Sequence, residues 1–147
     1  QPRCGRAPWL LGFVRVALES FGLGSGARPW RRMPHVTLLA REPYKREAHK
    51  GKFPVMRVMT NRHELHARIA RLCAEGSPRD TMGGDTPQRC THAMADFATL
   101  PVRAQLAMAT ATDVLVGAHS AALTFLIYMP SYGSVVEFST VNDFHYD

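Results

Sequence analysis

From His35 onward, short apolar runs alternate with stretches of helical periodicity, and this alternation constrains the fold more than any other feature. Val36-Thr37-Leu38-Leu39-Ala40 is one such run, ended abruptly by Arg41-Glu42-Pro43. Its length suits a buried strand rather than a helix. Val55-Met56-Arg57-Val58-Met59 is a second candidate strand. Asn61 then stands at an N-cap position with Glu64 three residues on, a capping-box pattern. Leu65, Ile69 and Leu72 follow on one helical face, in a helix running to about Cys73. Gly76, Pro78, Gly83, Gly84 and Pro87 mark a loop, and Cys90 to Phe97 holds a weak third strand. Thr99 is expected to cap a helix with Pro101 in its first turn and Val102, Leu106 and Ala109 facing inward. Asp113-Val114-Leu115-Val116-Gly117 is the clearest strand. After the small-residue turn Ala118 to Ala122, a short apolar helix, Leu123 to Met129, stops at Pro130. Val135-Val136-Glu137-Phe138 is the last strand. Strands alternating with helices imply right-handed crossovers and an α/β fold with a Rossmann-like, mostly parallel sheet.

Residues 1–34 lack this order and read as a basic leader or linker before a domain over 35–147. Trp9 to Phe21 is a helix or strand fragment, too short and too broken by Arg15 for a signal anchor. Residues 114–129 are apolar, but Gly117, His119 and Ser120 make them strand, turn and helix rather than a membrane span. The composition, 46% hydrophobic and 20% charged over 147 residues, excludes a disordered chain. Three cysteines are too few for a disulfide scaffold.

The net charge of +6 is unevenly placed. Residues 1–52 carry a balance of +8 and residues 53–147 a balance of −2. The basic clusters are Arg28, Arg31 and Arg32, then Arg41, Lys45, Arg46, Lys50 and Lys52. Such clusters attract phosphates or serve as a solvated linker. Aromatic residues are sparse around them and no RNP or zinc-finger pattern appears, so nucleic acid is not an expected partner.

In an open parallel sheet, ligands bind beyond the carboxyl ends of the strands. Arg41, His119 and Glu137 stand at such ends. In Gly117-Ala118-His119-Ser120-Ala121-Ala122, small side chains let a phosphate approach the N–H groups that open the next helix. His119 can donate to a phosphate oxygen, Arg41 can pair with a diphosphate, and Glu137 can accept from ribose hydroxyls. The bland alternatives are a tight turn with a surface histidine, an exposed strand-end arginine and an edge-strand carboxylate. Asn61 reads as a helix cap rather than a ligand contact. A metal is not expected: His63-Glu64-Leu65-His66 lacks the H-E-x-x-H spacing. Cys73, Cys90 and His92 offer an incomplete zinc set, or the two cysteines a disulfide; spacing does not choose.

Several segments, taken in order, resemble the carboxyl-terminal donor-binding domain of glycosyltransferase family 61. They are Val36 to Arg41, Asn61 with Glu64-Leu65, Gln105-Leu106, Thr112 to Gly117, His119 to Thr124, and Met129-Pro130 before Val135 to Phe138. The family pattern has Gly where this chain has Ser120, and commonly Gly at Ala122. The resemblance implies the carboxyl-terminal half of a GT-B architecture, so that the chain is expected to be part of a bilobed enzyme. It implies inverting transfer of a sugar, N-acetylglucosamine or xylose, from a UDP-sugar to a protein or glycan hydroxyl. Arg41, His119, Ser120, Ala121, Ala122 and Glu137 would then bind the donor. No cofactor or obligatory metal is implied, and the catalytic base belongs to the amino-terminal lobe. Family membership further implies the endoplasmic reticulum or Golgi lumen, with membrane attachment only through an anchor that this chain does not contain. A catalytically inactive nucleotide or phosphate binder of the same fold is the alternative.

Overall fold

The computed structural model describes residues 8–24, 33–41, 58–76 and 89–138. Four strands, β1 (His35–Leu39), β2 (Thr91–Ala95), β3 (Val114–Ala118) and β4 (Ser134–Phe138), form one sheet in the order β2-β1-β3-β4. Every neighbouring pair is parallel. Three α-helices accompany them: α1 (Pro8–Ser20), α2 (Arg62–Glu75) and α3 (Val102–Ala111). A 3-10 turn covers Phe97–Thr99 and a longer 3-10 helix covers Ala121–Tyr128.

The strand order dictates where the helices go. The path from β1 to β2 runs one way along the sheet, and the path from β2 to β3 runs back past β1. Right-handed crossovers in opposite directions place their helices on opposite faces. Leu65 and Ile69 of α2 accordingly pack with Val36, Leu38, Ala40, Met94, Val114 and Val116 on one face. On the other, Met108 of α3 and Leu123, Phe125 and Met129 pack with Leu39, Phe97 and Leu115. Leu38 and Leu115 are fully buried. Each such side chain contributes about 1.5–3 kcal/mol. The expected α/β fold with a parallel sheet is therefore present.

Several local expectations need correction. Thr99 does not cap α3; it belongs to the 3-10 turn, its hydroxyl donates to the Asp96 carbonyl, and Pro101 occupies the N-cap. Asn61 is the N-cap of α2, but its side chain makes no capping bond. Leu72 is 62% exposed and Cys73 takes the buried position instead. Val102 is likewise exposed, while Leu106 and Ala109 are buried as expected. The apolar stretch after Ser120 winds as a 3-10 helix, not an α-helix. Of the second candidate strand, residues 55–57 lie outside the described residues, and Val58 and Met59 form no strand. The leader is less shapeless than its composition suggests: α1 buries Leu18, and Arg103 Nε donates to the Phe21 carbonyl at 3.0 Å. Trp9, Leu11, Phe13 and Val16 remain exposed on α1. Of the residues in the basic clusters, all except Arg41 lie outside the described residues. Among the described residues, no helix is long and apolar enough to cross a membrane.

Gly117 has a packing role. It pairs with Leu39, and a Cβ there would stand 3.1 Å from the Leu39 Cβ. A larger residue would push β1 and β3 apart where both strands end.

Candidate functional site

The order of the sheet reverses at β1, so the carboxyl ends of β1 and β3 diverge and leave a crevice between them. A cleft of about 230 Å³ lies there. Leu39, Ala40 and Arg41 line it from β1, Ala95 to Ala98 from β2, and Ala118 and Ser120 to Ala122 from β3 and its turn. Met59, Gln105 and Phe125 complete the wall. The floor is apolar because strand ends rich in alanine and leucine approach it. The polar groups come from the connections that follow each strand.

Four of the six residues expected to bind a ligand meet in this cleft: Arg41, Ser120, Ala121 and Ala122. Ser120 is extended (φ −164°) and sits at the N-cap of the 3-10 helix, where its carbonyl accepts from the Leu123 N–H at 3.0 Å. Its hydroxyl makes no capping bond, so the first N–H groups of the helix are left to an outside acceptor. The amino end of the helix lines the cleft, which suits an anion.

The structure places His119 and Glu137 differently. His119 Nδ1 and Glu137 Oε1 contact each other, both side chains are largely exposed, and neither lines the cleft. The pairing is a product of register. Gly117 lies beside Glu137 and Ala118 beside Phe138, and His119 N–H donates to the Phe138 carbonyl at 3.0 Å. The histidine after β3 thus reaches the carboxylate on β4, outside the cleft lining.

Asp96, Phe97, Gln105 and Phe125 are cleft residues that the spacing argument missed. Asp96 directly follows β2, and its Oδ1 accepts from the Ala98 N–H at 2.9 Å, which shapes the 3-10 turn. Phe97 and Phe125 meet edge to face, with ring centroids 5.1 Å apart. Gln105 anchors α3 to the same turn through its Nε2, which donates to the carbonyls of Phe97 and Leu100, each at 2.7 Å. The weak pattern of β2 hid Asp96. Gln105 was visible as part of the family-like segment, without a role.

Two other clusters lie away from the cleft. Cys73 and Cys90 form a disulfide between the end of α2 and the residue before β2, which removes their thiolates from any zinc set. His66 Nε2 and His92 Nδ1 approach at 3.0 Å. Burial, followed by the nearby His92 and His63, holds the His66 pKa below its ordinary value. Among the described residues, no group of three His, Cys, Asp or Glu side chains is placed to hold a metal.

No protein-family model matches the chain and no curated protein matches it, so the likeness to glycosyltransferase family 61 rests on the segments quoted above.

Proposed function

We propose that this chain is the donor-binding unit of an inverting glycosyltransferase of GT-B architecture that uses a UDP-sugar. The observation that carries this reading is the cleft at the sheet's reversal point, which Arg41 and the Ser120–Ala122 turn line together after the neighbouring strands β1 and β3. A diphosphate fits that pairing of a guanidinium with helix-opening N–H groups. In the transfer, an acceptor hydroxyl oxygen forms a bond to the anomeric carbon as the bond from that carbon to the diphosphate oxygen breaks. The acceptor proton passes to a base on the opposing lobe. The electron pair goes to the diphosphate, whose growing charge Arg41 and the turn stabilise. The sugar is N-acetylglucosamine or xylose, on the strength of the family resemblance. The Cys73–Cys90 disulfide supports an oxidising compartment, as the endoplasmic reticulum or Golgi lumen provides.

Ser120 favours a second reading, a nucleotide or phosphate binder without transfer activity. A side chain here narrows the approach to the turn where the family carries glycine. Hydrolysis of UDP-sugars without acceptor separates the two: turnover supports the transferase, and binding without turnover supports the binder.

Calorimetric titration of UDP tests the site itself. Arg41→Ala is expected to weaken binding about tenfold or more, the loss of one charge-assisted contact. His119→Ala, outside the cleft lining, is expected to cost less. Unchanged affinity in both variants would sink the assignment of the phosphate side.

A further inference from the structure

The phosphate side accounts for only part of the cleft wall. Another part, beyond β2, is formed by Asp96, the 3-10 turn and Gln105. Both hydrogens of the Gln105 amide are committed, one to the Phe97 carbonyl and one to the Leu100 carbonyl. Those partners are oxygens, so they fix which end of the amide is nitrogen and forbid a flip. Oε1 is consequently held in one orientation. Among the described residues nothing donates to it, and it is not among the fully buried atoms left without a partner. Gln105 lines the cleft with its nitrogen spent, so any hydrogen bond that its amide makes to a ligand there uses Oε1 as acceptor. The Asp96 carboxylate, tied to the same turn through Ala98, stands in the same wall.

We propose that Gln105 is a specificity-determining residue: its Oε1, pinned by the Phe97 and Leu100 carbonyls, accepts a hydrogen bond from the nucleoside half of the ligand. The proposal rests on the donor-site reading above and adds an orientation to it. The diphosphate lies toward Arg41 and Ser120 and the nucleoside toward Asp96, Phe97 and Gln105. Glu137, paired with His119, is not needed for the ribose. A fixed acceptor discriminates strongly, because a ligand lacking the matching donor leaves the amide oxygen desolvated and unpaired. Uridine carries three candidate donors of two kinds, the base N3–H and the ribose 2′- and 3′-hydroxyls, and all meet the same chemistry.

Titrating the full chain with UDP, 2′,3′-dideoxy-UDP, N3-methyl-UDP and inorganic pyrophosphate tests this. The wild type is expected to bind one of the two modified nucleotides about tenfold more weakly than UDP. Gln105→Leu should erase that preference and leave pyrophosphate affinity unchanged. Leucine also loses both carbonyl bonds, so Gln105→Lys is the second variant: its ammonium keeps donors for Phe97 and Leu100 but has no acceptor. It should unfold near the wild-type temperature and likewise lose the preference. Three results would each overturn the assignment: a wild type that binds both modified nucleotides as it binds UDP, variants that keep the wild-type preference, or pyrophosphate affinity that falls in parallel with UDP affinity. A wild type that binds neither UDP nor pyrophosphate overturns the donor-site reading as well. UDP binding with the preference absent overturns the role of Gln105 alone.

Discussion

The two ends of the sheet use similar residues in opposite ways. At the amino end, most polar groups are consumed by the chain, although Asp113 Oδ1 is buried with no hydrogen-bond partner among the described residues. Asp113 is 4% exposed; its Oδ2 accepts from His35 N–H at 2.7 Å, and its own N–H donates to the His35 carbonyl. The Asp113 carbonyl accepts from Ser134 N–H, which fixes the start of β4. Nearby, Thr112 donates to the Met108 carbonyl, so the buried bond between Thr37 and Thr112 must have Thr37 as its donor. At the carboxyl end, Ser120, Gln105 and the opening N–H groups of the 3-10 helix face a cleft. An aspartate at the first end is a strut, and one at the second is part of a wall. Position along the strands, more than residue type, separates the structural from the functional group.

That contrast can be broken from either side. The largest effect belongs to the staple at the amino end. Removing the Cys73–Cys90 disulfide by paired alanines, with a sequence separation of 17, should cost about 3 kcal/mol of stability. Calorimetric melting would show it, while UDP affinity should stay within about twofold, since the disulfide lies away from the cleft. Asp113→Ala should cost about 2–3 kcal/mol by stranding the His35 N–H, read as a lower urea midpoint. An unmoved midpoint would show that the amino end is not a structural seat. Arg41→Ala should do the reverse, weakening UDP while moving the urea midpoint little. Thr37→Val should lose about 1 kcal/mol, because one buried hydroxyl loses its partner.

The smallest effect sharpens the comparison through pH. The His66 pKa is lowered in the folded state, so the unfolded chain binds its proton more readily. Stability from this residue is full above the ordinary value near 6.5 and falls as pH drops below it, until the folded state also protonates. Urea midpoints at pH 7.5 and 5.5 should therefore converge in His66→Asn relative to wild type. An equal pH dependence in both proteins would remove His66 from the account.

Much of the frame was legible in the sequence because burial on both faces writes itself as apolar runs. Leu38, Leu115 and Val116 announce β1 and β3 in this way. β2 is harder, since Thr91-His92-Ala93-Met94-Ala95 has weak strand chemistry and owes its place to pairing with β1. Leu72 misled because its spacing matched the helix period, while α2 turns Cys73 inward to reach Cys90. The turn after β3 was found from its small residues, and Arg41 from its position. The His119–Glu137 pair was not legible, since it depends on the register of β3 against β4. The role of Gln105 was equally hidden, since it depends on two carbonyls brought to it by a 3-10 turn.

The strand order carries one further consequence, for kinetics. Arg41, Asp96 and Ser120 are distant in sequence, and they meet only when β1 has acquired a neighbour on each side. Such non-local pairings close late and slowly. No hairpin or single crossover contains enough of the wall to hold a ligand. A nucleotide that binds the finished cleft therefore has little to grip in the folding transition state, so it should slow unfolding rather than hasten folding, and its residence becomes a clock for opening of the whole sheet.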